Sequence, residues 1–359
     1  MPDGPNLPRR ANVIGTGLIG GSIGLALAQR GWTVSAQDAD PSRADRAVEL
    51  GAAHQVGLDA DAEITFVATP VGVSVPAIHE ALTHTSGLVT DVGSVKTVVS
   101  AAVRDRRFVA GHPMAGSELA GVDAASADLF DGALWVLCPT SATADERAFS
   151  AVRSVIADLG AEVVVLTPER HDELVAVVSH VPHLTAATLM TLAADRSVEQ
   201  GTLLRLAAGG FRDMTRIAAG HPGIWPDICV ANSDAITAVL DELILRLQRV
   251  RGEVANGDRA GLTSGLELAR TARTNLPARG VHPEELCEVR LAIPDRPGEL
   301  ARVVEIAGDA DVNVYDIEIA HGSEGDRGVL ILVVEAEAAE EFVDVLRRFR
   351  YRPRARALS

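Results

Sequence analysis

The sequence predicts a three-part α/β chain: a doubly wound α/β domain, an all-α domain, and a small α+β domain of βαββαβ order. Three observations carry this. Short apolar runs alternate with helical patterns over roughly the first 165 residues, the signature of parallel βαβ units. From Thr167 to about Ala278 the strand signal disappears and helical spacing dominates. Beyond that, strands and helices return in the ferredoxin-like order. The expected divisions are 1–166, 167–278 and 285–359, with Asn275–Glu284, which carries Pro277 and Gly280, as the linker.

The elements follow in order. Asn12-Val13-Ile14 opens the chain as a strand, and a helix runs from about Leu18 to Arg30. Val34–Asp38 is the second strand and Ile64–Ala68 the third, ending at Thr69-Pro70. Leu88–Asp91, Phe108–Ala110, Ala133–Leu137 and Glu162–Leu166 complete the set, with a helix near Asp145–Leu159. The middle part is carried by helical patterns at Asp172–Ala194 and Trp225–Val250. In the tail, strands are expected at Cys287–Ile293, Asn313–Ile319, Val329–Glu335 and Pro353–Leu358, with helices at Glu299–Ala307 and Ala338–Phe349.

Composition narrows the function classes. The 359 residues are 47% hydrophobic and 3% aromatic, so the cores are built from Ala, Val, Leu and Ile. A net charge of −16 argues against nucleic acid or an anionic membrane as partner. No run approaches the ~20 apolar residues of a membrane span, and residues 1–10 lack the apolar core of a signal peptide. Cys138, Cys229 and Cys287 are far apart, odd in number and in no metal spacing, which reads as a reducing cytoplasm and no metal site. Of 33 basic residues only Lys96 is a lysine. It sits where arginine's wide, permanently charged fork would not fit, unless its survival is chance.

Gly15-Thr16-Gly17-Leu18-Ile19-Gly20 is a GxGxxG placed after a strand and opening a helix. Gly15 permits the tight turn, Gly17 lets backbone approach a pyrophosphate, and Gly20 lets helix and strand pack closely. The N–H groups at Leu18 and Ile19 open the helix, where anions bind. Asp38 closes the second strand about 20 residues on, where an acid binds the ribose 2′-hydroxyl and repels a 2′-phosphate. This is a Rossmann-type site for NAD, with Thr69 and Pro70 as further cofactor contacts. Arg43 is close enough to keep NADP as the minor alternative.

Gly111-His112-Pro113-Met114-Ala115-Gly116-Ser117-Glu118 places a histidine at the end of a strand, where open α/β sheets bind ligands. Histidine suits proton transfer near neutral pH. Three other polar clusters accompany it: Asp91-Val92-Gly93-Ser94-Val95-Lys96, Ser179-His180-Val181-Pro182-His183, and Gly209-Gly210-Phe211-Arg212-Asp213-Met214-Thr215-Arg216, with Trp225 beyond. His180 and His183 lie three apart but have no third ligand, and Pro182 removes a helix hydrogen bond from the Val178 carbonyl. Arg212 and Arg216, four apart, share a helical face.

Over residues 10 to 270, in order and number, these motifs resemble the prephenate dehydrogenase family. The resemblance implies an NAD-dependent oxidation of a cyclohexadienol with loss of CO2, in tyrosine biosynthesis. It implies His112 as proton acceptor and Ser94 as its geometric partner. Arg216 and His183 fall on substrate-binding positions, Arg216 offering a planar fork to a carboxylate. Ser117, Glu118 and Lys96 are substrate-side candidates, and His180 reads as structural. Glu118 would attract the ammonium that arogenate carries where prephenate has a keto group, so arogenate is the alternative substrate. The helical domain, apolar over Ile236–Leu247, implies a homodimer. The tail resembles an ACT domain: Gly298 in its first loop and Asn313 at the start of its second strand are effector contacts, with tyrosine as the expected effector. Two rivals stay open: a dehydrogenase of this build acting on a 3-hydroxy acid, and a non-catalytic NAD-binding sensor of an amino acid.

Overall fold

A computed structural model describes residues 9–116, 119–140, 146–199, 203–220, 222–275, 286–294, 296–321 and 327–357. The chain divides into two compact units, Met1–Arg246 and Leu247–Ser359.

The first unit is built on one eight-stranded sheet. Its elements begin β1 (Arg10–Ile14), α1 (Leu18–Gln29), β2 (Thr33–Gln37), α2 (Pro41–Glu49), β3 (Gln55–Val56), β4 (Ile64–Val67) and α3 (Val71–His84). They continue β5 (Leu88–Asp91), α4 (Thr97–Ala102), β6 (Phe108–Pro113), β7 (Leu134–Cys138), α5 (Glu146–Asp158) and β8 (Glu162–Val165). The strand order is β3-β2-β1-β4-β5-β6-β7-β8. Its first six strands follow the doubly wound dinucleotide-binding order, and the order reverses between β1 and β4, where such sheets bind ligands. The strands are near-continuous apolar runs because helices cover both faces. Ala11, Val13, Phe66, Val109, Trp135 and Leu137 lie in the core.

One strand departs from the expected parallel pattern. β7 runs antiparallel to β6, pairing His112 with Val136, while β8 is again parallel to β7. The link from β6 to β7 contains only the 3-10 turn Val122–Ala124 among its described residues, whereas α5 joins β7 to β8. A parallel return needs a crossover element, and only the second link has one.

Helices follow the sheet: α6 (Pro168–Val175), α7 (Val181–Glu199), α8 (Gly209–Thr215), α9 (Trp225–Ala231) and α10 (Ser233–Asn256). The single helix expected over Asp172–Ala194 is two helices joined by a π turn, Ala176–His180. The Val181 N–H reaches back five residues to the Ala176 carbonyl. Proline at 182 supplies no N–H to the ladder, and a π turn just before it re-aims the chain. Thr167 starts α6 by accepting from the Arg170 N–H. The stretch Pro168–Ser197 is long and apolar enough to cross a membrane by length and composition, with mean hydropathy 1.4 over its best window, which corrects the expectation of no such run.

The second unit holds the end of α10, then α11 (Arg259–Thr274) and a βαββαβ body: β9 (Leu286–Pro294), α12 (Glu299–Asp309), β10 (Val314–His321), β11 (Arg327–Glu335), α13 (Ala336–Arg348) and β12 (Arg354–Ala357). Its antiparallel sheet has the order β10-β11-β9-β12. Val289, Leu291, Leu330 and Leu332 pack against Val303, Ile306, Phe342 and Leu346 of the two helices. Period-two alternation makes one sheet face apolar and period 3.6 makes one stripe of each helix apolar.

Candidate active site

The cofactor turn follows from the end of β1. Gly15 has φ +93, and a Cβ there would lie 2.5 Å from the Ala68 carbonyl oxygen, so only glycine fits. A Cβ on Gly20 would meet the Gly15 carbonyl at 1.9 Å, which is how α1 lies so close to its strand. Gly17 instead faces open space ahead of Leu18 and Ile19. The Asp38 carboxylate reaches the turn: one oxygen accepts from the Thr16 N–H at 2.7 Å and hydroxyl at 3.0 Å, the other from the Asp40 N–H at 3.0 Å. Arg43 sits 3.7 Å from Asp40, on the first turn of α2. Pro70 precedes α3, and the Thr69 hydroxyl is buried without a partner. An open glycine, an orphaned hydroxyl and a carboxylate beside the turn fit an adenine dinucleotide.

His112 belongs to β6 itself rather than to a loop after it. Its Nδ1 lies 2.8 Å from Nε2 of His171, on α6. His171 Nδ1 lies 2.7 Å from Asp172 Oδ1. Asp172 in turn accepts backbone N–H groups from Lys96 and Thr97, both at 2.8 Å. The opening of α6 is thereby tied to the segment that carries Ser94, which is half-buried. Burial first, then neighbouring His171 and Lys96, hold the His112 imidazole well below its usual pKa, so it rests neutral.

Lys96 departs from the substrate-side expectation. Its side chain is 0% exposed, and its ammonium donates to the Asp91 carboxylate and, at 2.7 Å, to the Gly111 carbonyl. Asp91 Oδ1 accepts the Gly111 N–H at 3.1 Å, and Oδ2 accepts the Gly93 N–H at 2.9 Å. A buried ion pair thus grips both polar groups of the residue before His112. Arginine's fork is too wide for this slot.

The second histidine cluster lies on the π turn and α7. His180 is 1% exposed, and its Nδ1 lies 3.1 Å from the Asn232 amide nitrogen, which also donates to the Asp172 carbonyl at 2.9 Å. Burial pushes His180 down to about 4. His183 is stacked on Trp225 at 3.6 Å, and partial burial lowers its pKa as well. Arg216 is exposed and begins a 3-10 turn, Arg216–Ala219, where α8 has ended. The helical face expected to join it to Arg212 is therefore broken, and Arg212 donates to the Ala207 carbonyl. The same turn ends at Gly220, next to the His183 ring. Ser117 and Glu118 lie outside the described residues.

His171, Asp172 and Asn232 are polar residues the sequence did not single out, and Asp91 stood there only as the first residue of a cluster. A signal existed for two of them. Pro168, His171, Asp172 and Val175 form the buried stripe of α6, at helical spacing. Two polar residues on an apolar stripe call for buried partners.

The comparisons with known proteins bear on the family and the fold. Residues 23–177 match the family model described as prephenate dehydrogenase, nucleotide-binding domain, and residues 167–268 the one described as prephenate dehydrogenase, dimerization domain. Prephenate dehydrogenase of Bacillus subtilis is 33% identical over 342 residues, covering 90% of this chain and 91% of that protein. The chain belongs to the prephenate dehydrogenase family. Cyclohexadienyl dehydrogenase of Zymomonas mobilis is 32% identical, over 74% of this chain and 94% of its own length. Among solved structures, prephenate dehydrogenase from Aquifex aeolicus with hydroxyphenyl propionate and NAD+ aligns at TM-score 0.71 and 27% identity, over 76% of this chain and all of that one. Arogenate dehydrogenase from Synechocystis aligns at 0.63 and 31%, over 74% of this chain and 98% of that one. The family's two domains fall on the eight-stranded sheet and on the helices that follow it, and its cofactor is NAD.

Proposed function

We propose that this prephenate dehydrogenase family member converts prephenate to 4-hydroxyphenylpyruvate and CO2, with His112 as the proton acceptor. The observation that carries the assignment is a half-buried, neutral imidazole at the end of β6, in the sheet whose glycine turn would bind the cofactor. Bound NAD supplies the acceptor for the hydride from the ring carbinol. His112 takes the hydroxyl proton, and after CO2 has left its bonding electrons in the ring the proton returns to the phenolate oxygen. Ser94 holds the hydroxyl or the imidazole in line. His183, steadied by Trp225, and Arg216 meet the substrate's carboxylates, and Ser117 and Glu118 are further candidates for binding it. Gly15, Gly17, Leu18, Ile19, Gly20, Thr69 and Pro70 cradle the dinucleotide, and Asp38 selects NAD over NADP.

The experiment is NADH formation with prephenate and with arogenate, for the wild type and His112→Asn. Wild-type turnover of prephenate and a ~10²–10⁴-fold loss in the variant are expected. Full activity of His112→Asn would overturn the base assignment, and turnover of arogenate alone would overturn the substrate.

Assembly and regulation complete the proposal. The chain works as a cytoplasmic homodimer. Leu189, Leu192, Ala193 and Arg196 of α7 and Leu203 of the next 3-10 turn line a cavity of about 310 Å³, and exposed Leu192 and Leu206 suit burial by a second copy. Residues 285–359 serve as an ACT-like regulatory domain. There Gly298, in the left-handed conformation ahead of α12, and exposed Asn313 receive tyrosine. Tyrosine inhibition that survives removal of residues 285–359 would place the effector elsewhere.

A further inference from the structure

We infer that His171 and Asp172 are positioning residues that set the tautomer of His112, leaving its Nε2 bare to receive the substrate's proton. The inference rests on the reading of His112 as proton acceptor.

The chain of donors runs one way. Asp172 accepts from the Lys96 and Thr97 N–H groups, one on each oxygen. Burial works to raise its pKa, but the hydrogen bonds from His171, Thr97 and Lys96 outweigh it and the net shift is down. An ionised carboxylate only accepts, so the nitrogen 2.7 Å away, His171 Nδ1, carries a hydrogen. A neutral imidazole carries one hydrogen, so His171 Nε2 is a bare acceptor. It lies 2.8 Å from His112 Nδ1, which must then be the donor. The single hydrogen of His112 is thereby spent on Nδ1, and its lone pair sits at Nε2.

Charge supports the same direction. The groups acting on His112 are His171, Lys96 and His180, and those acting on Cys138, which pairs with Ala110 on β6, are Lys96, Asp172, Asp91 and Glu169. Burial pushes the Cys138 thiol up to about 12 and His180 down to about 4, so both are neutral near pH 7. Lys96 is paired with Asp91, so with a neutral His171 beside it the Asp172 carboxylate keeps its negative charge. A proton arriving on His112 neutralises that charge through the His171 bridge. In a site from which water is excluded, a preplaced opposite charge stabilises the cation without rearrangement.

Four variants test this: His112→Asn, Asp172→Asn, His171→Leu and His171→Gln. Glutamine can offer its amide oxygen near the Nε2 position, whereas leucine cannot. Steady-state kcat and KM for prephenate and NAD affinity by fluorescence titration are measured for each. His171→Leu and Asp172→Asn are expected to lose about 10²–10⁴-fold in kcat, as when a base is left in the wrong tautomer, with KM and NAD affinity within about threefold. His171→Gln should recover at least about tenfold in kcat over His171→Leu. Should Asp172→Asn fail to bind NAD, the leucine–glutamine pair decides. Equal kcat for leucine and glutamine, with NAD binding intact, overturns the relay and leaves the role of His112 standing. A wild type inactive on prephenate, or a fully active His112→Asn, overturns the underlying reading and the relay with it.

Discussion

At Gly15 two constraints meet in one residue. Its φ of +93 disfavours any side chain, and the Ala68 carbonyl stands where a Cβ would go. Gly15→Ala is expected to push the cofactor turn away from β4 and to raise the dissociation constant for NAD by roughly tenfold or more, read by quenching of protein fluorescence. Asp38 acts beside it, hydrogen-bonded to Thr16. Asp38→Ser should lower the preference for NAD over NADP, measured as the ratio of kcat/KM values, because the repulsion of a 2′-phosphate is gone. An unchanged ratio would remove Asp38 from the specificity argument.

At the scale of elements, the segment between β5 and α4 braces the site from two sides. The Lys96 side chain holds the Gly111 peptide, and its backbone N–H holds Asp172. Lys96→Met leaves the Asp91 carboxylate buried without its cation. A loss of about 3–5 kcal/mol is expected in urea denaturation, and a smaller one when Asp91→Asn is added. The parts of this architecture differ in how legible they were. Strands such as Leu88–Asp91 show as apolar runs between turn residues and coincide with β5. The reversal of β7 did not show, because strand direction depends on what lies between strands and apolar runs carry no direction. The π turn also escaped: Pro182 flagged a lost hydrogen bond, but spacing cannot say whether a helix kinks or takes in an extra residue. His112 was conspicuous for its setting. Its partners were not, since His171 and Asp172 match no motif and gain meaning only when α6 packs beside β6.

Across the first unit, the buried histidines set how it responds to acid. Unfolded histidine titrates near 6.5. Burial holds His180 at about 4 and keeps His112 and His183 low. Between these values the unfolded chain binds more protons than the folded one. The stability contributed by neutral histidine is therefore complete above about pH 6.5 and is lost as pH falls toward 4, by up to about 1.4 kcal/mol per pH unit for His180. The melting temperature should drop between pH 7.5 and 5.0, and His180→Gln should flatten the drop. A melting temperature independent of pH over that range would contradict the burial of these rings.

The sealed position of Lys96 reaches beyond the site it braces. It is the chain's only lysine, and its ammonium is enclosed. The folded protein therefore presents no lysine amine to amine-directed chemistry. Acylating dyes, lysine cross-linkers and acetyl donors have no ε-amine to reach until the fold opens. Acylation of Lys96, followed by mass spectrometry along a denaturant series, becomes a built-in reporter of unfolding around β5 and β6.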